Sequence, residues 1–118
     1  MPPLTTPLCR LLGITQPIIQ APISSSPELV AAVSNAGGLG VIQSTWLEAE
    51  ELTEIIADMR RRTDRPFAAN FVLSLTEDNG HALVDTALAA EAPIISTFWA
   101  DPAPVIERIH GAGAVKRV

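Results

Sequence analysis

Two histidines, one cysteine and scattered carboxylates are what this 118-residue chain offers to acid–base, nucleophilic or metal chemistry. His81 opens a helical pattern, and His110 lies near the end of another, where an imidazolium suits the negative end of the helix dipole. Both read as surface residues. Cys9 stands alone, so it can form neither an internal disulfide nor a multi-cysteine metal site. No histidine neighbours it in sequence to serve as a base, and it reads as an inert thiol. No Ser-His-Asp set, metal cluster or carboxylate pair can be assembled, because the acids fall at helix starts. We therefore assign no catalytic residue and no metal ligand within the chain.

Gly37-Gly38-Leu39-Gly40 invites comparison with a nucleotide-binding loop. That fingerprint follows a strand and opens a helix, whereas these glycines end a helix and open a strand, so their role is structural. Arg60-Arg61-Arg62 closes a helical pattern and compensates its dipole. Ser24-Ser25-Ser26 is a faint candidate for a phosphate loop. Polar residues also close apolar runs: Asn70, Ser96 and Thr97. On residue type alone, Asn70 reads as a turn-former or core amide. Ser96 and Thr97 read equally as pocket lining or core edge. Trp46 and Trp99 fall in loops after apolar runs; each could shield a bound ligand or pack, and packing is the expectation.

Strand and helix patterns alternate around these positions. Residues 17–23 form a proline-bounded apolar run expected to be a strand buried on both faces, with Pro22 marking its exit from the sheet. Ser24-Ser25-Ser26-Pro27-Glu28 starts a helix with the stripe Leu29, Val30, Val33, stopped at Asn35-Ala36-Gly37-Gly38. Residues 39–43 form the next strand. Thr45 and Glu48 are spaced as a capping box, and Leu52, Ile55, Ile56 and Met59 recur as one face of an amphipathic helix. Strands over 66–73 and 93–98, helices over 81–92 and from Asp101-Pro102 to Gly111, and a fifth strand beginning over 114–118 complete the order. Parallel strands with crossover helices follow. A (β/α)8 half-barrel and a five-stranded flavodoxin-like sheet both fit.

Apolar residues make up 47% and charged residues 18%, a normal globular balance for one domain, and the net charge of −5 argues against nucleic-acid or anionic-membrane surfaces. No apolar run approaches the roughly 20 residues of a membrane span, and the first residues lack signal-peptide character. A cytoplasmic protein is expected.

Three stretches, 12–23, 27–40 and 63–71, resemble the nitronate monooxygenase (2-nitropropane dioxygenase) family in motif, order and spacing. The resemblance implies that residues 1–118 are part of an FMN-binding TIM-barrel domain. They would form its N-terminal half, about four βα units plus the start of strand five. It also implies FMN at the C-terminal mouth of the strands. Ala21, Pro22 and Ile23, in the first βα turn, would lie beside the flavin, with Ile23 where the family often has methionine. Asn70 matches an asparagine that hydrogen-bonds the flavin. The implied reaction is oxidation of an alkyl nitronate with FMN and O2. The family's histidine and FMN-phosphate loops are expected beyond Val118, so flavin binding by these residues alone should be weak or absent. NAD(P)H-dependent enoyl-acyl-carrier and quinone reductases of the family share these motifs. Two other readings remain: a non-catalytic fragment that self-associates through exposed sheet edges, and a flavodoxin-like domain with strand order 2-1-3-4-5.

Overall fold

A computed structural model describes residues 4–112 and 116–117. Its strands are β1 (Gly40–Gln43), β2 (Phe67–Val72), β3 (Ile94–Phe98) and β4 (Lys116–Arg117), all parallel and in the spatial order β1-β2-β3-β4. Neighbours in space are neighbours in sequence, which excludes the flavodoxin-like order. The rest of the predicted fifth strand, residues 114, 115 and 118, lies outside the described residues.

Four helices follow the predicted punctuation. In α2 (Pro27–Asn35) the Ser26 hydroxyl accepts from the Leu29 amide, and Pro27 occupies the first turn. The helix faces inward through Val30, Ala31 and Ser34, while Leu29 is exposed, so the predicted stripe is rotated. In α3 (Ala49–Arg62) the expected Leu52, Ile56 and Met59 are buried, with acids leading and arginines closing. Its capping box is Glu48 with Glu51 and not Thr45 with Glu48; the Glu51 carboxylate accepts from the Glu48 amide at 3.2 Å. Helices α4 (His81–Ala89) and α5 (Ala103–Gly111) bury Val84, Ala87, Val105 and Ile109. A six-residue helix, α1 (Pro7–Leu12), was not anticipated; Thr6 caps it and Gly13, at φ 74°, closes it.

The two faces of the sheet are covered differently. On the outer face, Ile42, Phe67, Ala69, Phe71 and Ile95 form one core with the inward residues of α2 to α5. On the inner face, a smaller cluster joins Leu39, Val41, Ala68 and Ile94 to Cys9, Leu12 and Ile14. A Cβ at Gly13 would stand 3.3 Å from Pro66, so α1 closes the inner face at the N-terminal end of β2. Gly40 explains the glycine cluster: a Cβ there would lie 2.2 Å from the Val30 carbonyl, so its absence lets α2 sit directly on β1.

Residues 17–23 do not form the doubly buried strand expected of them. One parallel bridge, Ile19 to Leu39, holds them beside β1, and Ile18 is 61% exposed. The Leu39 amide donates to Ile18 and the Gln20 amide to Leu39, as a regular ladder requires. The next bond would run from the Val41 amide to the Gln20 carbonyl, and the one after it would need an N–H from residue 22, which proline lacks. The ladder stops there, and the Gln20 side chain takes over by accepting from the Val41 amide at 3.0 Å.

Candidate functional site

Side chains alternate along a strand, so register decides which residues share a level on one face. Val41, Ala68 and Ile94 are paired across β1, β2 and β3, and all three belong to the inner cluster. Two residues further along, the paired set is Gln43, Asn70 and Ser96. The inner face thus changes from apolar to polar at the C-terminal ends of its strands. In open or closed parallel sheets this is the end where ligands bind.

Each member of this polar rung is held by a different element. The Gln43 side chain donates to the Pro22 carbonyl at 2.8 Å and accepts from the Thr45 amide at 3.0 Å and from the Thr45 hydroxyl. Thr45, released from helix capping, accepts from the Val72 amide at 3.0 Å and so ties the loop after β1 to the end of β2. The Gln43 backbone donates to the Ser24 carbonyl and accepts from the Ser25 hydroxyl. The serines proposed as a faint phosphate loop are therefore committed to fixing the 20–25 turn on β1 and to capping α2. A tight hydrogen bond from the Ile23 amide to the Ala21 carbonyl shapes that turn.

Asn70 is 3% exposed. Its Nδ2 donates to the Ser96 hydroxyl at 2.9 Å, while its Oδ1 is buried and has no partner. It is the sole such side-chain atom among the described residues. A buried acceptor without a donor carries a desolvation penalty of about 1–3 kcal/mol, so the position demands an explanation.

Of the four residues singled out by resemblance, Pro22 and Asn70 come to one rim, joined through Gln43. Ala21 and Ile23 flank Pro22, and Ile23 is 82% exposed. Trp46 and Trp99 do not pack as expected: they are 69% and 60% exposed at the same strand ends. Trp99 stacks on Phe98, and Trp99 and Ala100 both take positive φ, a conformation costly for side-chain-bearing residues. Sequence reasoning missed Gln43 and the contact of Thr45 with the end of β2. The signal for Gln43 was present: a glutamine closing an apolar strand, as Asn70 closes the next. The histidines stay out of the site: His81 is half-buried at the start of α4, and His110 is exposed on α5.

Comparison with known proteins agrees with this arrangement. Residues 5–117 match the model of the nitronate monooxygenase family. A nitronate monooxygenase from Pseudomonas aeruginosa is 40% identical over 109 residues, covering 91% of this chain and 31% of that protein. A hydroxy-methyl-oxo-octahydroindene-carboxyl-CoA dehydrogenase from Mycobacterium tuberculosis is 33% identical over 114 residues, or 32% of its length. FabK from Thermotoga maritima superimposes with a TM-score of 0.87 at 30% identity, over 96% of this chain and 36% of that one. A nitroalkane oxidase from Streptomyces ansochromogenes gives 0.75 at 28% identity, over 92% of this chain and 41% of that one. The chain spans about a third of the length of the curated relatives it matches. By motif, length of match and fold, the chain belongs to the nitronate monooxygenase family of oxidoreductases.

Proposed function

We propose that this chain is an N-terminal arc of a (β/α)8 barrel, about four βα units and the start of a fifth strand. In it, Ala21, Pro22, Ile23 and Asn70 contact FMN, and the whole enzyme oxidises alkyl nitronates with O2. The observation that carries this reading is the unpartnered Asn70 Oδ1, buried at the C-terminal end of an inner strand. A planar heterocycle with a polar edge would supply the missing partner there. It would meet the buried Asn70 amide, with the small or apolar Ala21 and Ile23 on the neighbouring turn to contact it. When bound, FMN supplies the electron-accepting ring that links substrate oxidation to reduction of O2. This chain's part is to hold and orient: Gln43 fixes the Pro22 turn, Thr45 fixes the rim of β2, and Asn70 holds the ring edge.

FMN and riboflavin distinguish this reading. Titrated into the protein and followed by flavin fluorescence, both should bind weakly and alike, because the contacts reach only the ring. Asn70→Ala should weaken both about tenfold, the loss of one good hydrogen bond. An unchanged affinity in Asn70→Ala would overturn the assignment. A strong preference for FMN would place a phosphate site within these residues and favour a self-contained flavin domain.

The likeness to FabK supports a second reading, an NAD(P)H-dependent enoyl-acyl-carrier or quinone reductase on the same scaffold. We further propose that the protein is cytoplasmic, that its substrate is a small molecule, and that its open sheet edges promote self-association. No described helix is long and apolar enough to cross a membrane.

A further inference from the structure

We infer that the cleft between the β1–α3 loop and the β2–α4 loop is a binding site for a small organic cation, an ammonium group carried on an apolar stem. The inference is independent of the flavin-site reading, since none of Ala21, Pro22, Ile23 and Asn70 lines this cleft.

Both walls are fixed by the chain itself. On one side, Thr45 accepts from the Val72 amide at 3.0 Å and draws the loop after β1 across the end of β2. The Leu47 amide closes that turn on the Ser44 carbonyl, and Trp46 is left exposed between them. On the other side, a single 3-10 turn, Leu73–Leu75, is locked by the Thr76 amide and hydroxyl, which both donate to the Leu73 carbonyl. Asp78 then caps α4 by accepting from the Ala82 amide at 3.0 Å. Between these walls lies a cleft of about 430 Å³, within the roughly 300–1,000 Å³ usual for small-molecule sites.

The lining combines two chemistries. Trp46, Leu75 and Leu83 supply apolar surface, and neither hydrophobic core includes Trp46 or Leu75. Glu48, Glu77 and Asp78 supply negative charge, and none of the three belongs to an ion pair among the described residues. No lysine or arginine occurs between Arg10 and Arg60 or between Arg65 and Arg108, so neither wall carries one, and His81 does not line the cleft. Arg108, close enough for Asp78 to act on it, is already held by Asp85 through two of its nitrogens.

The class of ligand follows from what each candidate would gain. No group of three His, Cys, Asp or Glu side chains among the described residues could hold a metal ion, and a metal ion gains nothing from an indole and two leucines. A phosphate or carboxylate would face three carboxylates. A neutral apolar molecule would use the leucines and leave the charges idle. An alkylammonium uses both. Its stem covers Leu75 and Leu83, its charge is drawn by the carboxylates, and the face of tryptophan is the best cation–π partner among side chains.

The test uses flavin-free protein and hexyltrimethylammonium as the probe, with hexanoate and 1-hexanol as its anionic and neutral counterparts. The chain has two tryptophans, so Trp99→Phe leaves Trp46 as the sole indole reporter. Its emission should change saturably with the cation, at about tenfold lower concentration than with hexanol, and should not respond to hexanoate. Ligand-detected NMR then compares variants at two exposed positions, where the fold should be retained. Trp46→Leu and Glu77→Gln should each weaken the cation about threefold and leave hexanol unchanged. Equal affinity of the wild type for the cation and hexanol would show plain apolar surface and overturn the inference. A cation affinity unchanged in both variants would place the binding elsewhere and overturn it as well. With no flavin present, neither outcome depends on the flavin-site reading.

Discussion

The outer and inner faces of one sheet follow opposite rules. Outside, Ile42, Ala69, Phe71 and Ile95 meet four helices in a continuous core, and the inward positions named above are apolar except Ser34 of α2. Inside, an apolar cluster closes only the N-terminal half, and the C-terminal half ends in Gln43, Asn70 and Ser96 with an acceptor unsatisfied. The outer face is where burial stabilises the chain. The inner rim gives up some of that stability to leave a polar group waiting. Substitutions on the two faces should therefore differ in sign as well as size.

The largest effect is expected outside. Phe71 is fully buried, and Phe71→Ala should cost about 3–5 kcal/mol through lost transfer energy and the cavity left behind. The loss would appear as a lower urea midpoint at unchanged slope. If Phe71→Ala unfolded at the wild-type midpoint, the outer face would not be the stabilising core. Gly40→Ala comes next. Its new Cβ would sit 2.2 Å from the Val30 carbonyl and 2.7 Å from the Ser34 hydroxyl, both fixed groups. Overpacking of this kind costs about 1–3 kcal/mol, and a neutral result would mean that α2 can move off β1 freely.

Inside, the sign should reverse. Asn70→Leu replaces an unsatisfied buried acceptor with an apolar group of similar size. It should leave stability unchanged or raise it by about 1 kcal/mol, while abolishing flavin binding. Calorimetry and flavin titration on the same sample read both quantities. A variant that loses more than about 2 kcal/mol would show that Asn70 stabilises the fold by a hydrogen bond of its own.

How much of this could be read from the sequence depended on how local each signal was. Helix α3 carries its evidence within itself: the stripe Leu52, Ile56, Met59 and the charge gradient from Glu50 to Arg62 need no partner to be legible. Helix α1 spans only six residues, too few for periodicity, and Thr6-Pro7 was its one clue. Residues 17–23 look apolar enough for a central strand, but Pro22 removes the donor that would extend the pairing, and Ile18 stays exposed. Thr45 had the spacing of a cap but found a better partner in the Val72 amide across the rim. Asn70 and Ser96 stand out individually; their alignment with Gln43 is a matter of register, which no single strand encodes. The exposed Trp46 and Trp99 show the same limit, since a loop residue's burial depends on what lies across from it.

The smallest predicted effect lies furthest from both faces, on the outer surface of the helices. Arg108 on α5 donates from its Nε to Asp85 on α4 at 2.9 Å, and its second nitrogen pairs with the other carboxylate oxygen. The hydrogen bond from Arg108 holds the Asp85 carboxyl below its ordinary value of 3.8, against a weaker opposing effect of burial. The folded state therefore binds this proton less readily than the unfolded chain. The pair contributes stability above the unfolded value, and that contribution is lost as pH falls through the lower folded value. Asp85→Asn should lower the melting temperature slightly at pH 7, and the gap from wild type should close as the solution is acidified below about pH 3.8. Both side chains are more than 40% exposed, so high salt at pH 7 should shrink the same gap. Phe71→Ala should show neither dependence, since cavity and transfer terms involve no titrating group. A melting-temperature gap for Asp85→Asn that persists at low pH and high salt would mean that Asp85 acts through packing, and the helical surface would then belong with the core.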